Sequence, residues 1–397
     1  MSLSAALGTA TVYPLQPATA AVAGSLTSSY AAVGVALACG PVGYMFGLVL
    51  LVPLVDRFSP RRVLSAQFGV LAAALALSAA VGSVWALAPM TGVIGACSSV
   101  GAGLSSVAGR LARPHRRATT LGIVTAGISA GILAGRIAGG WLTDAIGWRG
   151  MLLVFAAACV SLGVSSLRVL PNTHGGADRG YLATVRSIPG LVTEYAALRW
   201  AAIRGATWFF AFCVVWAGLA VALAQPPYSY SAERIGLYAF AGLLGILATR
   251  ISGTWTDRVG ARKVILAGLA LAAAATAVLA FALPNTAVTL ACLALFDAGL
   301  FAAQVANQST VLAIDPSAPA RFNSAYMIVY FVGGSIGTAF GAAAVDWVGW
   351  PATAGITVTA IAAAALITVR VAAPGPASCR AGSAHSPTVP ACPRSGR

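Results

Sequence analysis

The sequence predicts an all-α integral membrane protein in which 12 transmembrane helices form two parallel, repeated six-helix bundles. The prediction rests on a composition too poor in charge for water, on apolar runs of membrane-spanning length, and on motifs that return about 200 residues later. Of the 397 residues, 59% are hydrophobic and only 8% are charged, against roughly 25% charged in an ordinary soluble domain. Such a chain cannot clothe the surface of a water-soluble fold, which excludes a soluble enzyme. The net charge of +15, from 24 Lys and Arg against 9 Asp and Glu, would by itself suit nucleic acid or an anionic membrane surface. The positions of the charges decide for the membrane.

Residues 1–55 carry no charge, and long uncharged stretches recur at 63–109, 118–135, 205–232, 264–296 and 347–369. A bilayer core of about 30 Å takes roughly 20 apolar helical residues, and only helices or closed barrels satisfy their backbones there. Barrel strands would alternate over about 10 residues, whereas these runs are continuous Ala, Leu, Val and Gly. Turn-forming clusters from Ala23 to Ser29, at Gly82-Ser83 and at Pro284-Asn285 divide the longest runs. The resulting spans are 2–22, 30–54, 63–82, 86–110, 118–141, 150–170, 204–224, 235–256, 263–283, 287–312, 323–345 and 350–371. The first resembles a signal peptide with Ala18-Thr19-Ala20 as its cleavage site, but no Lys or Arg precedes Arg57 to form a basic n-region. It is expected to be retained.

With the N-terminus inside, the segments 56–62, 110–117, 168–204, 257–263, 315–321 and 370–397 hold 20 of the 24 Lys and Arg. The outer loops hold Arg149 and Arg234, while Arg136 and Arg250 lie within spans. This bias predicts a multi-pass protein of the cytoplasmic membrane with both termini cytoplasmic. It also accounts for the basic balance, so the lipid bilayer is the expected partner and nucleic acid is not. No pair of the seven cysteines has metal-ligand spacing, and His115, His174 and His385 lie far apart. No metal site or Ser-His-Asp constellation follows, and no P-loop is present to bind ATP. The proline-rich residues 373–397 read as a disordered tail.

Asp56-Arg57 followed by Arg61-Arg62 returns as Asp257-Arg258 followed by Arg262-Lys263, a shift of 201. Gly131, Gly135, Gly139, Asp144, Gly147 and Trp148 return as Gly333, Gly337, Gly341, Asp346, Gly349 and Trp350, a shift of 202. Two signatures recurring at nearly one offset divide the chain into bundles at 1–170 and 204–372, joined by a cytoplasmic connection at 171–203. An even number of spans per half makes the repeat parallel.

At these residues the chain resembles the major facilitator superfamily over essentially 1–372. That family's loop motif, Gly-x-x-x-Asp-Arg-x-Gly-x-Arg-Lys/Arg, is matched by Gly253, Asp257, Arg258, Gly260, Arg262 and Lys263. The first-half copy keeps Asp56, Arg57, Arg61 and Arg62 but has Val52 for the leading Gly and Ser59-Pro60 before Arg61. On the fifth span, Gly131-x-x-x-Gly135-Arg136-x-x-Gly139-Gly140 is similar to the Gly-x-x-x-Gly-Pro-x-x-Gly-Gly motif of the 12-helix bacterial drug–proton antiporters, with Arg136 in place of Pro. The family's usual Arg of the fourth helix has no counterpart near Ile94. The resemblance implies alternating access, with the loop-motif residues as a gate between inward- and outward-open states; their other reading is as topology determinants.

The stripes Gly131, Gly135, Gly139 and Gly333, Gly337, Gly341 have spacing i, i+4, i+8 and predict close helix contact. Such contact serves a moving interface or a static bundle. Asp297 is the only acid well inside a span, about eleven residues into the tenth. A charge there costs several kcal/mol unless it is paired, protonated or faces water. Gln304 and Gln308 follow on its face, so that face should look into a central cavity. Asp297 is therefore a candidate protonation or cation-recognition residue, its other reading being a structural pair with a neighbouring Arg or hydroxyl. Arg136 is a candidate partner for Asp297 or for an anionic substrate, whereas Arg250 is close enough to the cytoplasmic edge to snorkel.

The resemblance implies that the first, fourth, seventh and tenth helices line the cavity. Tyr13 and Gln16, then Ser98, Ser99, Ser105 and Ser106, then Trp208, Phe209, Phe212 and Trp216, then Asp297, Gln304 and Gln308 are the polar and aromatic residues these helices offer, with Asn323, Tyr326 and Tyr330 added from the eleventh span. Aromatics with a few polar groups suit an amphipathic organic molecule. The expected function is secondary active transport of such a molecule, most simply proton-coupled efflux of a drug or metabolite by a monomer. It would need no cofactor and would draw on the proton motive force. Proton-coupled uptake of a nutrient is the alternative within transport, and a polytopic enzyme or sensor, for which no catalytic cluster is present, the alternative outside it.

Overall fold

The computed structural model describes residues 1–111, 117–169, 190–315 and 319–370. The first crossing is α1 (Ser2–Ala10) and α2 (Thr19–Ser25) rather than one helix over 2–22. Pro14 and Pro17 explain the break, because proline lacks the N–H that helix continuation needs. Tight bonds such as Val12 N–H to the Thr9 carbonyl and Tyr13 N–H to the Ala10 carbonyl carry the chain across. The Thr11 and Thr19 hydroxyls donate to the carbonyls of Gly8 and Gln16 at 2.8 and 2.7 Å. In hydrocarbon this internal satisfaction is obligatory.

The remaining N-terminal elements are α3 (Tyr30–Leu50), the short α4 (Leu54–Arg57), α5 (Pro60–Ala80), α6 (Val84–Ser98), α7 (Val100–Leu111) and α8 (Arg117–Val169). The C-terminal elements are α9 (Ala196–Ala224), α10 (Ala232–Leu237), a 3-10 turn at Tyr238–Ala241, α11 (Gly242–Val259), α12 (Ala261–Ala282), α13 (Thr286–Leu312) and α14 (Pro319–Arg370). Serine or asparagine caps set several starts: Ser29, Ser83, Ser231 and Asn285 each accept a hydrogen bond from a first-turn N–H.

Among the described residues, nine helical stretches are long and apolar enough to cross a bilayer. Two of them, Ala126–Val169 and Arg321–Arg370, run to 44 and 50 residues, each two crossings joined at a glycine. The glycines are Gly147 (φ 76°, ψ 158°) and Gly349 (φ 76°, ψ 167°), a conformation that L side chains resist. With the interrupted first crossing this agrees with twelve. The duplication is thus visible in backbone angles as well as in sequence, and it extends to the following tryptophans. Trp148 Nε1–H donates to Ser25 Oγ at 2.7 Å, and Trp350 Nε1–H to the Leu279 carbonyl at 3.0 Å.

Each half has its own apolar core. One cluster runs from Ala5 to Cys159 around Phe68, Leu71 and Met151; the other runs from Trp208 to Ala364 around Leu269, Leu293 and Phe296. The glycine stripes build these cores from within. A Cβ at Gly131, Gly135 or Gly139 would strike the backbone of Ala6, Ala10 or Pro14, and one at Gly333, Gly337 or Gly341 that of Ala206, Phe210 or Val214. The stripes therefore clamp the fifth crossing to the first and the eleventh to the seventh, inside each half. Gly135→Leu and Gly337→Leu are expected to cost more than ~3 kcal/mol, since backbone rather than a pliable side chain blocks them. Gly69→Leu has open space around it and is expected to be neutral. Thermal unfolding of the purified variants checks both.

The seventh crossing starts at Ala196, eight residues before the expected position. Arg204, expected among loop cations, is consequently a helical residue and only 8% exposed. The expected connection is shortened at its C-terminal side, while its residues 171–189 and the expected tail fall outside the described residues.

Candidate functional site

The two halves meet firmly at one end of the molecule. Gly140 of α8 packs on the backbone of Ala232 and Glu233, and Gly236 of α10 packs on the Arg136 carbonyl. Asp144 then caps α10 across the interface, accepting from the Ala232 N–H at 3.2 Å and the Glu233 N–H at 2.8 Å. A carboxylate there meets the unsatisfied N–H groups and positive end of a helix. On the other side of the same end, Gly34 of α3 abuts Ala342 and the Ala339 carbonyl of α14. Asp346, the repeat partner of Asp144, instead accepts from Gln225 Nε2 at 2.7 Å within its own half.

From there towards the end that carries Arg57 and Arg258, cavities interrupt contact between the halves. A cavity of about 190 Å³ lies between them. Tyr13 and Arg136 of the first half face Trp208, Phe212, Asp297 and Gln304 of the second across it. Tyr330 and Phe331 of α14 complete one wall, with Phe209 and Tyr330 stacked at 4.0 Å between centroids and 11° between planes. A second cleft of about 200 Å³ lies between α3 and α14, bordered by Met45, Val49, Asn323 and Met327.

The charged centre of the cavity is built around an indole. Arg136 is 5% exposed, and its guanidinium carbon lies 4.2 Å from the Trp216 ring centroid and 5.0 Å from that of Tyr13. Its Nε–H donates to Gln16 Oε1 at 2.8 Å. On the edge of the same indole, Trp216 Nε1–H donates to Asp297 Oδ1 at 3.2 Å. Arg136 and Asp297 attract each other electrostatically, yet among the described residues no ion pair joins them. Stacking on aromatic faces stabilises a guanidinium by roughly 0.5–2 kcal/mol, so Arg136 is held without consuming the carboxylate. Asp297, 1% exposed, keeps Oδ2 without a hydrogen-bond partner among the described residues. Arg136 occupies the Pro position of the motif, and α8 runs on through it.

The cavity thus brings together Tyr13, Arg136, Trp208, Phe212, Asp297, Gln304 and Tyr330. Five other candidates stand behind or beside its wall. Gln16 and Trp216 border a smaller recess next to Arg136. Tyr326 is fully buried, its hydroxyl donating to Gln304 Oε1 at 2.6 Å. Gln308 Nε2 donates to Asn323 Oδ1 at 2.8 Å, and Asn323 borders the second cleft. The fourth crossing, expected to line the cavity, contributes no lining residue among those described; the fifth and eighth supply Ser129, Leu133, Ile246 and Thr249 instead. Those four were not singled out from sequence, because small and aliphatic residues on a helix carry no signal of facing a void.

The loop motif lies at the end away from the Asp144 contact. Asp257 and Arg258 are exposed, Gly253 has open space beside it, and Lys263 is exposed. Gly260 (φ 89°, ψ 145°) forms the start of α12, the conformation for which a glycine is needed. Arg262 Nη2 donates to the Val369 carbonyl at 2.7 Å, tying α12 to the end of α14. In the first half Arg57 lies 6.0 Å from the Phe58 ring, Arg61 is half-buried and Arg62 exposed. The side chains of Asp56 and Arg250 lie outside the described residues. Among the described residues there is no group of His, Cys, Asp or Glu able to hold a metal ion.

A repeated helical membrane fold with an aromatic cavity that holds an Arg and an Asp between its halves is the architecture of a transporter of small molecules. The family model of the Major Facilitator Superfamily matches residues 1–249, and the chain belongs to that superfamily. It is similar to "Uncharacterized transporter YgaY" of Escherichia coli O157:H7, at 28% identity over 88% of this chain and 89% of the relative. It is 31% identical to "Probable transporter SCO4007" of Streptomyces coelicolor over 88% of this chain and 81% of the relative. The class C tetracycline resistance protein of Escherichia coli is 29% identical over 65% of each chain. Among solved structures, a bacterial homologue of the human lysosomal transporter Spinster, inward-facing and occupied, superposes with a TM-score of 0.74 at 14% identity, over 93% of this chain and 94% of that one.

Proposed function

We propose that this transporter exports a small amphipathic aromatic molecule across the cytoplasmic membrane by alternating access, in exchange for protons. The carrying observation is Asp297: a buried carboxylate on the cavity wall, hydrogen-bonded through one oxygen only and near an Arg that it does not pair with. Such a group can take up a proton or a cationic substrate without dismantling a salt bridge. Stacked aromatic walls support an amphipathic organic cargo, and the resistance-protein relative supports export.

On this reading the segments with Arg57 and Arg258 face the cytoplasm, following the Lys and Arg bias, and the cavity receives cargo from that side. The halves 1–170 and 204–372 rock as units about it. A single chain contains the whole site and uses the proton motive force. The test is retention of a panel of fluorescent and antibiotic compounds in cells with and without the transporter, with and without a protonophore. Lower retention that the protonophore abolishes is expected. Higher retention with the transporter would establish uptake instead.

A further inference from the structure

We propose that Arg204, which does not itself line the cavity, is a positioning residue that fixes how Gln304 faces it, so that the site selects aromatic molecules bearing a carbonyl-type acceptor oxygen. The proposal rests on the reading of this cavity as the substrate site. It follows from a chain of hydrogen bonds in which only one direction is chemically allowed.

A guanidinium can donate but never accept. Arg204 Nε–H donates to Asn307 Oδ1 at 3.0 Å, and its Nη2 donates to the same oxygen. With its oxygen committed, Asn307 must turn Nδ2 the other way. That nitrogen donates to the Ala201 carbonyl at 2.9 Å and to the Tyr326 hydroxyl oxygen at 3.2 Å. The Tyr326 hydroxyl, having accepted, places its single proton on Gln304 Oε1 at 2.6 Å. The Gln304 amide is therefore held by its oxygen, and Nε2, with no hydrogen-bond partner among the described residues, is the polar atom left for the cavity that Gln304 lines.

Turning Gln304 over would leave the phenol proton without an acceptor. Turning Asn307 over would set its NH2 against the guanidinium, donor against donor. Both are unfavourable where water is excluded, because Asn307 and Tyr326 are fully buried. One cation thus sets the polarity of a cavity group through two intervening side chains, on α9, α13 and α14. An Arg to which no carboxylate is hydrogen-bonded among the described residues has a use on this account: it supplies a terminus that cannot reverse.

The other polar groups of the lining are mixed, so the preference rests on Gln304. The indole N–H of Trp208, a residue 1% exposed, is sealed from solvent and has no hydrogen-bond partner among the described residues. Arg136 adds a guanidinium, and Asp297 offers a carboxyl acceptor among the described lining residues. The Thr249 hydroxyl spends its proton on the Ile246 carbonyl at 2.7 Å, which leaves its oxygen as a neutral acceptor. Buried donors that stay unmade are costly, so a site of this kind discriminates against ligands that lack the matching acceptor. Stacked rings on the walls supply the aromatic half of the preference.

The test is calorimetric binding of two near-isosteric probes, 2-acetylnaphthalene and 2-isopropylnaphthalene, to the purified full chain. Wild type is expected to prefer the ketone. Tyr326→Phe, which keeps the ring but cuts the chain, and Arg204→Met, which removes its fixed end, are each expected to reduce that preference roughly threefold to tenfold. Hydrocarbon affinity should stay within about twofold, a split that general loosening of the bundle would not produce. Tyr326→Phe keeps the comparison available if Arg204→Met fails to fold. An undiminished ketone preference in Tyr326→Phe would overturn the proposal. Failure of wild type to bind either probe would overturn the aromatic-cargo reading beneath it, a distinct result.

Discussion

Asp297→Asn is expected to reduce proton-driven transport to the level of cells lacking the protein, while leaving its abundance and thermal stability close to wild type. The substitution keeps shape, and the asparagine oxygen can still accept from Trp216 Nε1–H, the only hydrogen bond that Asp297 makes among the described residues. What it removes is the negative charge and the capacity to carry a proton. Arg136 retains its own supports, the rings of Trp216 and Tyr13 and the Gln16 amide. Binding and downhill exchange of cargo should therefore survive in the variant, because neither needs a proton to move. Retention assays with a protonophore, paired with counterflow in proteoliposomes, separate the two. Unchanged proton-driven transport would reduce Asp297 to a structural acceptor for Trp216.

The second large effect is expected at the sealed end. Gly140→Leu would drive a side chain into the backbone of Ala232 and Glu233, and Gly236→Leu into the carbonyl of Arg136. Both contacts join different halves, unlike those of Gly135 and Gly337, so the bundles themselves should fold. The seal should not close. Transport is expected to fall at least tenfold, since shifting a balanced two-state equilibrium by more than ~1.4 kcal/mol already changes populations by ten. Asp144→Ala should act in the same direction but more weakly. It removes two hydrogen bonds and a charge at a helix N-terminus, worth about 0.5–2 kcal/mol. The contrast between Gly135→Leu, expected to unfold, and Gly140→Leu, expected to fold but not cycle, identifies which glycines serve motion.

What could be read from sequence follows a physical rule. A charge inside an apolar run is too costly to be accidental, so Asp297 and Arg136 stood out, and the structure places both on one cavity. The duplication was legible for a similar reason, because a bend at Gly147 and Gly349 demands glycine in both halves. Arg204 was missed because a helix that begins in a charged segment shows no boundary in hydropathy, so a buried cation looked like a loop cation. Asn307 carries no net charge and sits between two glutamine-bearing turns, which hid its part in the relay. The glycine stripes announced close packing but not which helix they pack against. Contacts across the interface, such as Gly140 with Ala232, have no sequence periodicity at all, since they pair residues far apart in the chain.

The most direct measurement is cysteine accessibility to a membrane-impermeant maleimide, applied to intact cells and to inside-out vesicles. Arg57→Cys and Arg258→Cys report one end, Trp347→Cys, 69% exposed in the native residue, reports the other, and Ser129→Cys and Thr249→Cys report the cavity. In wild type the cavity positions are expected to label from the side that labels both arginine positions and to be shielded from the side that labels position 347. In a Gly140→Leu background the shielding should be lost. Labelling of positions 57 and 258 from opposite compartments, or of position 129 in wild type only from the side of position 347, would contradict the account at its base.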